Sequence, residues 1–120
     1  MHTISTKTHA IYDYIFGVVV VISPWIFGFS NQSVASSVAY ILGASVLCYS
    51  LLTNYELSLF GILPMGVHLF FEFLVGVLLL ASSWMLGMSG LPAIVFTVLG
   101  VISLVMTFHT RVSTAAGNVA

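Results

Sequence analysis

Apolar residues fill four long runs, roughly Ala10 to Phe29, Val34 to Thr53, Met65 to Leu86 and Ala93 to Phe108, and polar residues collect between them. Within the runs there is no apolar/polar alternation of period two, so strands are not predicted. Each run approaches the ~20 residues that a helix needs to cross ~30 Å of hydrocarbon. A helix also pairs its own backbone groups where no water is present. The pattern predicts an all-α membrane protein with four transmembrane helices.

Composition sharpens this picture. Of 120 residues, 60% are hydrophobic and only 4% are charged, against about 25% charged in soluble folds. The five full charges are Lys7, Asp13, Glu56, Glu72 and Arg111. Lys7 followed by an apolar run and Ser33-Val34-Ala35 has the outline of a secretory signal, but the run exceeds the 7 to 15 residues of such signals. It is therefore counted as a span. Cys48 is the single cysteine, which excludes a disulfide framework and a cysteine-based metal knuckle, and it reads as a small buried apolar residue. No phosphate-cradling loop, nucleophile constellation or basic patch is present, so neither an enzyme nor a nucleic-acid partner is expected and no residue is assigned as catalytic.

The chain repeats itself. His9, Asp13, Gly17, Ser23, Trp25, Gly28 and Ser30 are answered by His68, Glu72, Gly76, Ser82, Trp84, Gly87 and Ser89 at a constant offset of 59 residues. Leu42-Gly43 matches Leu99-Gly100 at an offset of 57, because the second turn is two residues shorter. The expected organisation is an N-terminal segment (1–8), a first hairpin repeat (9–54), a loop (55–64), a second hairpin repeat (65–110) and a tail (111–120). Each repeat crosses the bilayer twice, so both enter from the same side, as tandem parallel repeats related by an axis along the membrane normal.

Lys7, His9, Asp13, Glu56, His68, Glu72, His109 and Arg111 then fall at the end shared by both termini. Cations accumulate on the cytoplasmic side, which puts both termini inside. Trp25 and Trp84 fall at the opposite interface, where an indole lays its ring in the headgroup layer. Pro24 frees the carbonyl four residues earlier and is expected to bend the first helix. Its counterpart is Ser83.

Ser23-Pro24-Trp25 in the first helix of a two-helix unit, followed by Gly28, with a second copy reading Ser82-Ser83-Trp84 and Gly87, resembles the SPW repeat family of small bacterial membrane proteins. The resemblance covers all but the two tails, although Ser83 stands where the second copy would carry proline. It implies a membrane-embedded repeat protein of bacterial origin, and the four spans are expected to form a multi-pass four-helix bundle in the bacterial inner membrane. It brings no activity with it.

His9 and Asp13, like His68 and Glu72, are four residues apart and share a helical face. By steps of about four that face continues through Gly17, Val21, Pro24 and Gly28 in one copy and Gly76, Leu80, Ser83 and Gly87 in the other. Small residues on one stripe let helices approach in lipid, so the stripes should face the interior and bring the ionisable pairs together. One reading is a structural or assembly module that self-associates or binds a membrane partner in the bilayer, with Gly17 and Gly76 as packing residues. The alternative is a transporter-like protein in which His9, Asp13, His68 and Glu72 hold a proton or a divalent metal, imidazole and carboxylate suiting zinc, iron or manganese. A third is haem held between His9 and His68. A purely interfacial role, with these groups reaching water and complementing helix N-termini, also stays open. The sequence names no cofactor.

Overall fold

A computed structural model describes residues 4–53 and 59–110. Glu56 and the rest of 55–58 in the expected inter-repeat loop, Arg111 and the whole of the expected tail lie outside the described residues. The helices are α1 (Thr6–Ile26), α2 (Ser33–Leu52), α3 (Met65–Met85) and α4 (Leu91–His109), and all four are long and apolar enough to cross a membrane. This is an all-α membrane architecture in a lipid bilayer environment.

The first helix starts four residues earlier than its apolar run. Ser5 caps it, its hydroxyl accepting from the Thr8 N–H at 3.2 Å, which satisfies one of the donors left free at a helix start. Lys7 is thereby helical and exposed. At the other end Gly28 takes φ +74° and Gly87 φ +66°. This left-handed conformation is inexpensive only for glycine, and it ends the helix while the Phe29 N–H donates back to Pro24 O at 2.8 Å. Both glycines belong to turns, with nothing within 4 Å of the place a Cβ would take. The interior stripe expected to run as far as Gly28 and Gly87 stops short of them.

Helix α1 packs chiefly on α2, and α3 on α4. Successive contacts join Gly17 to Leu47, Val21 to Gly43 and the Trp25 ring to Tyr40, so the two helices of the hairpin run antiparallel. In the second hairpin Gly76 meets Leu104, Leu80 meets Gly100, and the Ser83 and Thr97 hydroxyls lie 3.3 Å apart. Gly17–Leu47 and Val21–Gly43 map onto Gly76–Leu104 and Leu80–Gly100 at the offsets of 59 and 57 found in the sequence. A Cβ on Gly43 would lie 2.8 Å from the Val21 nitrogen, and one on Gly100 would lie 2.9 Å from the Gly76 carbonyl oxygen. At both places helix backbones touch, which is how packing replaces hydrophobic drive in lipid.

The hairpins join along a core that includes Phe16, Val20, Val46, Val75, Leu79 and Leu99. At the turn end Phe29 meets Phe96 edge-on, with centroids 5.9 Å apart. Trp25 and Trp84 at that end are exposed, as anchors in an interface should be. Cys48 is exposed as well, contrary to the expected buried residue: it faces outward beside the α2–α3 seam, where apolar lipid solvates a thiol as well as a protein core would.

Pro24 leaves Val20 without its helical donor, and the Ser23 hydroxyl takes that carbonyl at 2.8 Å. The Ser-Pro pair is thus self-compensating.

Candidate functional site

The ionisable ends of α1 and α3 face each other across the hairpin boundary. His9 and Asp13 sit in the first two turns of α1, and His68 and Glu72 occupy the same register of α3. All four are sealed from solvent, at 0%, 0%, 0% and 1% exposure respectively. The interfacial reading required them to reach water, and that access does not exist.

The pairing is crosswise. His9 Nε2 lies 2.7 Å from Glu72 Oε1 and 3.1 Å from Asp13 Oδ1. His68 Nε2 lies 2.8 Å from Asp13 Oδ2 and 3.6 Å from Glu72 Oε1. One ligand atom from each of the four residues falls within 4.8 Å of all the others. A carboxylate buried alone in an apolar medium is strongly disfavoured, and here each one is matched by an imidazole of the other hairpin.

The far side of each imidazole is held by a threonine. Thr53 caps α2 and Thr110 caps α4, and both are fully buried. The Thr53 hydroxyl donates to Tyr49 O at 2.6 Å and lies 2.6 Å from His68 Nδ1. The Thr110 hydroxyl donates to Met106 O at 2.6 Å and lies 2.6 Å from His9 Nδ1. A hydroxyl has one proton. With that proton given to a carbonyl, each threonine accepts from the imidazole, so Nδ1 carries hydrogen on both rings. Both Nε2 atoms are thereby turned toward the carboxylates.

Two short backbone pairings close this end of the molecule. Ile4 N–H donates to His109 O at 2.8 Å, and Leu63 N–H donates to Leu52 O at 2.7 Å. They hold the segments preceding α1 and α3 against the C-termini of α4 and α2, forming the Ile4–Thr110 and Thr53–Leu63 bridges. Aromatic rings line the flanks: Tyr12 meets His9 edge-on at 5.4 Å, and Tyr49 meets His68 edge-on at 4.8 Å.

The two carboxylates are not equivalent. The Thr107 hydroxyl lies 2.8 Å from both Glu72 Oε2 and Ser103 O, and the Glu72 backbone carbonyl accepts from the Ser103 hydroxyl at 3.2 Å. The matching positions of the first hairpin are Ser50 and Val46.

His109 stays outside the cluster, its Nδ1 donating to Val105 O at 2.8 Å on an exposed face. Haem between His9 and His68 has no room here, since the two rings meet edge-on with centroids 5.4 Å apart and both are fully buried. Gly17 and Gly76 are spent inside their own hairpins, against Leu47 and Leu104. Thr53, Thr107 and Thr110 were not singled out by sequence reasoning. Thr53 and Thr110 do stand at the same offset of 57 that relates Gly43 to Gly100, and extending that register to the helix ends would have found them.

Residues 7–110 match the family model described as the SPW repeat domain. No curated protein and no solved structure matches the chain.

Proposed function

The chain belongs to the SPW repeat family, and from that premise we propose a membrane protein whose buried His9–Asp13–His68–Glu72 cluster binds a small cation, protons or a divalent metal. In this reading the chain is a four-helix bundle built from two tandem parallel repeats (9–54 and 65–110), set in a bacterial inner membrane with both termini cytoplasmic. The clustering of every described ionisable His, Asp, Glu, Lys or Arg except Lys7 and His109 into one sealed centre supports it. Ionisable groups within spans are costly to keep. A network serving stability alone is often replaced by apolar side chains at no loss.

The assembly reading drew on the Gly17 and Gly76 stripes. Both stripes are turned against α2 and α4 of the same chain, so they offer no small-residue surface to a second copy. That favours the cation reading over self-association.

The test is the thermal stability of the purified full chain in detergent micelles, with magnesium, calcium, manganese, cobalt and zinc added in turn. At least one cation is expected to raise the unfolding temperature of the natural protein and to leave His9→Ala/His68→Ala unchanged. Equal responses from both proteins, or none from either to these metals and to a change of pH alike, would discard the reading.

A further inference from the structure

We infer that the four side chains form a single closed N2O2 site for one divalent d-block cation of the zinc class, and that Thr53 and Thr110 are its positioning residues. This rests on the cation-binding reading above and names the ion class and the residues that aim its ligands.

The first argument is metric. Four ligands at ~2.0 Å around a tetrahedral ion stand ~3.3 Å from one another. Four nitrogen-to-oxygen approaches measure 2.7, 3.1, 2.8 and 3.6 Å, those to Asp13 being made by its two different oxygens, and one ligand atom from each of the four residues lies within 4.8 Å of the others. To take an ion at the centre, one Asp13 oxygen must serve both imidazoles and the widest separations, within 4.8 Å, must contract toward ~3.3 Å by side-chain rotation.

The second argument is chemical. Calcium takes six to eight oxygen ligands, and magnesium keeps several of its waters. A dry centre offering two imidazoles and two carboxylates suits neither. Mixed nitrogen and oxygen donors suit zinc and its first-row neighbours, and a four-ligand shell without an open position is the form of a closed zinc site.

The third argument comes from the far side of the rings. A metal-bound histidine nearly always donates its other N–H to a fixed acceptor, which sets tautomer and ring orientation. Thr53 and Thr110 are such acceptors, at 2.6 Å each, with their own protons committed to Tyr49 O and Met106 O. Both Nε2 lone pairs can then point at one place. Charge balances too: two neutral imidazoles, two carboxylates and one divalent ion sum to zero, as do the same groups sharing two protons. Binding thus exchanges one divalent ion for two protons without leaving net charge in an apolar interior.

The experiment uses the full chain in detergent micelles. Natural protein loaded with cobalt(II) is expected to show the intense visible bands of a tetrahedral complex, bleached by one equivalent of zinc. Calorimetry in buffers of different ionisation enthalpy should count two protons released per zinc. Thr53→Val/Thr110→Val should bind one zinc per chain 10- to 100-fold more weakly, as loss of such outer partners does elsewhere. Thr53→Ser/Thr110→Ser, which keeps both hydroxyls, should recover that affinity. Octahedral cobalt bands, a stoichiometry other than one, or unchanged affinity in the valine variant would overturn the inference. Binding of magnesium or calcium at the cluster in place of cobalt and zinc would overturn the ion class alone and leave the cation reading standing. Failure of all five cations to bind would remove the inference and the metal form of the reading, and leave only its proton form. The cobalt spectrum and the proton count need no variant, so a misfolded valine protein does not shield the proposal.

Discussion

His9 Nε2 lies nearer to Glu72, 2.7 Å away on the other hairpin, than to Asp13, 3.1 Å away one turn along its own helix. His68 repeats the preference, at 2.8 Å to Asp13 against 3.6 Å to Glu72. Each hairpin thus neutralises the other rather than itself. Removing one member strands a partner in an apolar interior, so His9→Leu or Glu72→Leu should each cost about 3–5 kcal/mol. Replacing all four with leucine strands nothing and should recover most of that loss. Thermal unfolding of the single and quadruple variants in detergent checks this, and additive losses would refute the crosswise coupling.

Gly43 and Gly100 stand where a Cβ would meet backbone atoms, at 2.8 Å and 2.9 Å. A Cβ on Gly17 would reach 2.7 Å from Leu47, but there it meets side-chain atoms that can rotate aside. Gly43→Ala and Gly100→Ala are expected to destabilise by roughly 1–3 kcal/mol, the range for overpacking, and Gly17→Ala by less. Unfolding midpoints of the three variants should fall in that order.

Ser23 and Ser82 make the same bond, to Val20 O at 2.8 Å and Leu79 O at 3.0 Å, yet they should not be equally important. Pro24 has no N–H to give Val20, whereas Ser83 has one to give Leu79. Ser23→Ala should therefore cost about 1–3 kcal/mol, the penalty for an unsatisfied buried acceptor, and Ser82→Ala only a fraction of it. Comparable losses would show that the proline is not the reason for the first serine.

Phe29 and Phe96 are buried and meet edge-on at 5.9 Å between the hairpins. Phe96→Ala is expected to cost about 3–5 kcal/mol through the cavity it leaves. Phe96→Leu should keep most of the stability, as read by the same unfolding assay.

The spans and the two ionisable pairs were legible in the sequence for physical reasons. A run that must cross hydrocarbon can hardly be disguised, and His9/Asp13 recurring as His68/Glu72 points to one face of each helix. The crosswise pairing was not legible, because a spacing of four describes neighbours on one helix and says nothing of the neighbour across a boundary. Thr53 and Thr110 were hidden for a related reason: a threonine at the edge of an apolar run reads as a boundary, and its service to a histidine appears only once the chain turns. Gly28 and Gly87 were drawn into a packing stripe by continuing the helical step past the helix end, where a positive φ is what the chain requires. Cys48 was placed inside by a rule for proteins in water. In lipid, inside and outside are equally apolar.

The backbone bond that seats Ile4 on His109 has the form of the one that seats Leu63 on Leu52. The peptide leaving the fourth helix therefore passes beside the peptide entering the first, as closely as the second helix passes the approach to the third. Topologically the molecule is a ring with a single cut. A gene rearranged to begin near residue 59, with a short linker carrying residue 110 into residue 4, should build the same molecule from a different starting point.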